Sequence, residues 1–145
     1  MTPVEAIEEL IRACPSFEPA WRTFLAEEYP DAAQGRGERL PYVDVAGLSD
    51  QVVDCLANGR VTELPAYFAA LEGLYQEAGP SLENFLTIGV LESIQNIALG
   101  RKLELASFVP WLGPRTLQEW DALIAFWEGK PQVGTRGGRI TTRCS

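Results

Sequence analysis

The chain contains no histidine, three cysteines, and twenty Asp and Glu residues among 145. Without imidazole there is no Ser–His or Cys–His nucleophile, no histidine metal site and no use of the commonest acid–base group near neutral pH. Cys14, Cys55 and Cys144 are odd in number, widely spaced and form no CxxC, so they supply neither a zinc tetrad nor a redox pair. Cys14 and Cys55 fall inside helical patterns, where a thiol behaves as a small core residue, and Cys144 lies in the tail. Carboxylates are the remaining reactive groups, yet no acidic pair has a spacing that singles it out. The expectation is therefore of no catalytic residue, no metal ligand and no cofactor, and of a function carried by surface charge.

That charge is unevenly placed. Residues 1–100 hold sixteen acids against five bases, whereas residues 101–145 hold four against seven. Between Leu40 and Leu99, eight carboxylates (Asp44, Asp50, Asp54, Glu63, Glu72, Glu77, Glu83 and Glu92) face one base, Arg60. Such a surface repels nucleic acid and anionic lipid, and it speeds encounter with a basic protein. It serves plain solubility equally well, and both readings stand. Asp50, Asp54, Glu63, Glu72, Glu77, Glu83 and Glu92 are the candidate partner-binding residues. Glu72 and Glu92 have a second reading, as half-buried caps on neighbouring backbone. Trp111, Trp120 and Trp127 could form a stacking platform for a sugar or base, although their helical spacing suits core aromatics better.

The elements that must position these groups centre on residues 61–99. Leu64, Tyr67, Phe68, Leu71, Leu74 and Tyr75 recur at three- and four-residue steps, which predicts a helix with Thr62 as N-cap and Gly79 as left-handed terminator. A second helix follows from Pro80 or Ser81 to Gly100. It is apolar on more than one face, Ile88 included, and reads as the most buried element. A two-residue connection predicts an antiparallel hairpin. Phe68-Ala-Ala-Leu-Glu-Gly-Leu also aligns with Ile88-Gly-Val-Leu-Glu-Ser-Ile, pairing Glu72 with Glu92. This is either a HEAT-like two-helix repeat or the similarity any two amphipathic helices share.

Thr2-Pro3-Val4-Glu5 is a capping box opening a helix that Pro15 stops, and a second helix runs from Ser16 or Phe17 to Tyr29. Residues 30–39 read as a polar loop. Residues 40–48 stay open between strand and helix, because Tyr42-Val43-Asp44-Val45 alternates briefly; a helix capped by Ser49 follows over about 49–58. A final helix spans about 114–128, ended by Gly129. Residues 130–145 are rich in Gly, Thr and Arg and read as a disordered basic tail, leaving one helical domain over 1–129. No stretch is apolar for long enough to span a membrane, and the acidic N-terminus lacks the features of a signal peptide. The expected fold is all-α, about six helices around the hairpin, and the expected location is cytoplasmic.

Three segments together carry a resemblance. They are Leu71-Glu72-Gly73-Leu74 with Ile88 through Asn96, then Phe108-Val109-Pro110-Trp111-Leu112-Gly113-Pro114, and then Trp120 with Phe126-Trp127-Glu128-Gly129. The chain resembles an uncharacterised family of small acidic helical bacterial proteins found in settings that suggest immunity to polymorphic toxins. That resemblance covers about residues 4–129 and brings no catalytic residues with it. It implies a binding protein that neutralises a cognate toxin. A non-catalytic helical scaffold or regulator with another protein partner is the alternative, and a carboxylate-dependent enzyme is a third reading.

Overall fold

A computed structural model describes residues 1–31 and 38–129; most of the 30–39 loop and the whole tail expected at 130–145 lie outside the described residues. The described residues form helices joined by turns and short connections, with no strand among them. Helix α1 (Pro3–Ala13) opens with the expected capping box: the Thr2 hydroxyl accepts from Glu5 N–H at 3.1 Å, and Thr2 N–H donates to Glu5 at 2.8 Å. After a 3-10 turn at Pro15–Phe17, α2 covers Glu18–Glu28 and buries Trp21.

The open segment is helical. Helix α3 runs unbroken from Pro41 to Ala57. Asp44 and Val45 are adjacent yet both buried, as are Leu48 and Ser49, a pattern a helix face allows and a one-sided strand does not. Ser49 is accordingly not a cap but an interior residue.

Helix α4 covers Leu64–Glu77, with Glu63 rather than Thr62 at its N-cap. Gly79 is extended, not left-handed, and serves as the N-cap of the next helix. That helix is a continuous run made of α5 (Pro80–Asn84), a widened π-helical segment (Phe85–Leu91) and α6 (Glu92–Gly100). It ends at Gly100 as expected, and the left-handed residue at its exit is Lys102, at φ +61°. A 3-10 stretch, Leu105–Trp111, leads into α7 (Pro114–Trp127).

The helices close a ring: α1 packs on α4, α4 on α7, α7 on the π segment, the 80–100 run on α3, and α3 on α1. The two arms around Gly79-Pro80 therefore find their main partners elsewhere, with α7 contacting both. The ring encloses Tyr67, Phe68, Phe85, Phe108 and Trp120, all fully buried. Phe108 is the hub, 6.1 Å from Phe68 and 5.6 Å from Trp120 between ring centroids. Of the tryptophans in question, Trp120 is core and Trp111 is half-buried against Phe68. Trp127, the last residue of α7, is 40% exposed.

Candidate partner-binding face

Helix α3 and the 80–100 run lie side by side and parallel. Asn84 donates to the Tyr42 hydroxyl at 3.0 Å, the Ser49 and Ser93 hydroxyls meet at 2.6 Å, and Arg101 reaches Asp54 at 3.2 Å. The contacts advance along both helices in the same direction.

The π segment makes this register possible. In an ordinary helix a row of every fourth residue rotates by about 40° per step, since four residues exceed one turn of 3.6. The widened turns, in which Glu92 N–H reaches back to the Thr87 carbonyl, offset that drift. Phe85, Gly89 and Ser93 consequently all meet α3, while Thr87 and Gln95 both meet α7, through Glu119 and the Trp120 carbonyl. Leu86, Val90 and Ile94 fill the core, leaving Asn84, Ile88 and Glu92 on the outer side.

Gly89 has no side chain where one could not fit: a Cβ there would lie 2.9 Å from the Phe85 ring and 3.3 Å from Tyr42. The Tyr42 ring therefore lies on this turn, edge-on to Phe85 at 5.0 Å. It stays 46% exposed beside Val43 at 63% and Ile88 at 41%. Asp50 and Glu92 directly flank the Ser49–Ser93 contact, and neither makes an ion pair or side-chain hydrogen bond among the described residues.

Of the seven nominated carboxylates, the fold thus brings Asp50, Asp54 and Glu92 to one face. Asp54 is engaged there by Arg60 at 2.7 Å and by Arg101. The other four sit elsewhere. Glu63 accepts from the Ser16 backbone and hydroxyl, the latter at 2.7 Å, and Glu83 pairs with Arg115 at 3.2 Å. Glu77 is exposed at the end of α4, also without an ion pair among the described residues. Glu72 caps α7, accepting from Arg115 N–H, Thr116 N–H and the Thr116 hydroxyl at 3.1, 2.9 and 2.9 Å. Burial alone would raise the pKa of Glu72, but these hydrogen bonds prevail and hold it below the ordinary 4.5. Its sequence counterpart Glu92 makes no such contact, so the alignment of the two helices does not give the two glutamates equivalent settings.

Tyr42, Val43 and Ile88 are the residues of this face that sequence reasoning missed. Tyr42 and Val43 fell in the segment left open, and Ile88 was placed in a buried helix. The available signal was that Leu82, Leu86, Val90, Ile94 and Ala98, all buried, recur at strict four-residue steps and not at alternating threes and fours, a row from which Ile88 is absent.

A half-open crevice of about 260 Å³ near the α3–α4 connection is lined by Ser16, Cys55, Arg60, Thr62 and Glu63. Its thiol is not primed for attack: burial pushes Cys55 up, and pushes Cys14 behind it up to about 12. Among the described residues no group of three or more His, Cys, Asp or Glu could hold a metal ion, and no helix is long and apolar enough to cross a membrane.

These features define an all-α domain whose distinctive surface is a two-helix face carrying apolar groups and carboxylates without an ion pair among the described residues. Residues 7–128 match the domain of unknown function DUF7674, and the chain belongs to that family. No curated protein and no solved structure matches it.

Proposed function

We propose that this chain is an immunity-type binding protein, which neutralises a cognate bacterial toxin in the cytoplasm by direct contact between its acidic surface and a basic face of the toxin. The observation that carries this reading is the set of carboxylates, Asp50, Glu77 and Glu92, that make no ion pair among the described residues, in a chain of net charge −8. Long-range attraction of a basic partner raises the encounter rate and is screened by salt. The buried thiols and the engaged carboxylates Glu63, Glu72 and Glu83 leave the surface, rather than a reactive centre, as the working part.

The test is co-expression with the product of the neighbouring upstream open reading frame, scoring growth and co-purification. Rescue of a toxic product by the wild-type chain, weakened by Asp50→Lys/Glu92→Lys, is the expected result. Toxicity without rescue would refute the reading and leave the scaffold alternative, to be pursued by pull-down.

A further inference from the structure

We infer that the outer face of α3 and the 80–100 run receives a basic amphipathic helix from the partner, its apolar stripe on Tyr42, Val43 and Ile88 and its Lys or Arg residues against Asp50 and Glu92. This rests on the reading above that the partner is a basic protein, and it specifies which surface and which kind of element meet.

Two parallel helices in contact leave a shallow groove between their outer ridges, the shape into which a third helix packs. Strand addition needs a sheet edge, and the described residues contain no strand. The apolar end of the groove is pre-ordered. Tyr42 is held by the Asn84 hydrogen bond and the Phe85 edge contact while its other side faces solvent, so little side-chain freedom is lost when it is covered. Aromatic and aliphatic groups so placed act as anchors, and a rim of charge sets partner choice.

The charges around the groove are graded. Asp54, at the far end, is already matched by Arg60 and Arg101, whereas Asp50 and Glu92, next to the anchors, have no counter-charge among the described residues. Ile88 to Glu92 is one turn, about 6 Å, and Val43 to Asp50 is two turns, about 10 Å. The partner helix therefore carries its basic residues one to two turns from its apolar ones. A second copy of this chain is a poor occupant, because a net charge of −8 on each copy opposes their approach.

The experiment titrates the full-length protein into a fluorescein-labelled synthetic peptide of about 18 residues, long enough to be helical when bound. It carries Leu at helical spacing with Lys on the flanking positions. The comparison peptides are a scrambled sequence of the same composition and one with Glu in place of Lys. Anisotropy is read for the wild type, Val43→Ser/Ile88→Ser, Asp50→Lys/Glu92→Lys and, as a control on a remote exposed aromatic, Phe126→Ser. All substituted side chains are at the surface or half-buried, and circular dichroism verifies that each variant is folded.

The amphipathic peptide is expected to bind about tenfold tighter than the scramble, an advantage lost in Val43→Ser/Ile88→Ser and kept in Phe126→Ser. The Glu peptide and the charge-reversed variant should each bind more weakly than their counterparts. Equal affinity for the amphipathic and scrambled peptides, or unchanged binding by Val43→Ser/Ile88→Ser, would overturn the inference. If both Lys peptides still bound in a charge-dependent way, the basic-partner reading would survive that loss. If neither bound, the inference would fall, and the co-expression result would decide the wider reading on its own.

Discussion

Glu72 offers the sharpest quantitative test, because it separates a carboxylate that holds the fold from one that meets a partner. Its three hydrogen bonds tie the middle of α4 to the first turn of α7. Thr116 is fully buried, so in Glu72→Ala its N–H and hydroxyl lose their acceptor where water cannot readily replace it. Orphaning a buried donor costs about 1–3 kcal/mol, and losing a helix cap about 1 kcal/mol. With the half-buried Arg115 N–H included, the loss should be about 2–4 kcal/mol, or a fall in Tm of roughly 5–15 °C for a chain of this size. Glu72→Gln keeps one acceptor and should cost about half as much.

Gly113→Ala reaches the same interaction from the other side. A Cβ there would lie 2.6 Å from the Glu72 carboxyl and displace it, so Gly113→Ala and Glu72→Ala together should cost much less than the two costs added. The pH dependence has a definite sign. The folded pKa of Glu72 lies below 4.5, so its contribution is present above that pH and fades as pH falls through the folded value. The gap between wild type and Glu72→Gln should narrow accordingly in acid. Urea unfolding followed by circular dichroism at neutral pH and near pH 3.5 measures each quantity. A Glu72→Ala variant within about 0.5 kcal/mol of wild type would refute the capping account.

Three further outcomes are expected. Gly89→Ala should destabilise by about 1–3 kcal/mol, because the new methyl meets Phe85 and Tyr42; a neutral result by urea melt would mean that the π turn relaxes freely. Asp44 is 1% exposed and accepts from Tyr29 at 2.7 Å and Arg39 at 3.0 Å. Asp44→Ala leaves that guanidinium, which also lies over Trp21 and Tyr29, without its counter-charge, and should cost about 2–4 kcal/mol in the same assay; under about 1 kcal/mol would refute the pairing argument. Cys14 and Cys55 should resist a thiol reagent near pH 8 until the chain unfolds, as read by peptide mapping, whereas modification of Cys14 in the folded protein within seconds would contradict its burial.

The sequence disclosed most where local rules and tertiary needs coincide. The Thr2–Glu5 capping box and the stripe of α4 depend on near neighbours and were legible. Gly79 misled, because it lies between two helices in an extended conformation and not in the left-handed one that usually places glycine at a helix end. Helix α3 was only half legible: Gly47 and the alternation at 42–45 weaken its local signal, and its stability comes from packing on α1 and the 80–100 run. The face on which Tyr42, Val43, Ile88, Asp50 and Glu92 converge was not legible as a unit. It depends on a parallel pairing between segments more than forty residues apart, and on widened turns that a 3.6-residue period does not describe.

The parallel pairing also gives the face an electrical polarity. Every peptide group in an α-helix contributes to a dipole whose positive end is the N-terminus, and here two such dipoles point the same way instead of cancelling. Both negative ends gather near Arg60 and Arg101, which neutralise them, and both positive ends gather near Tyr42 and Asn84. An incoming helix laid across the groove is therefore not free to choose its direction. It is favoured when its own negative C-terminal end lies over Tyr42, running antiparallel to both hosts, so the surface distinguishes a sequence from its reversal even where the apolar contacts alone would not.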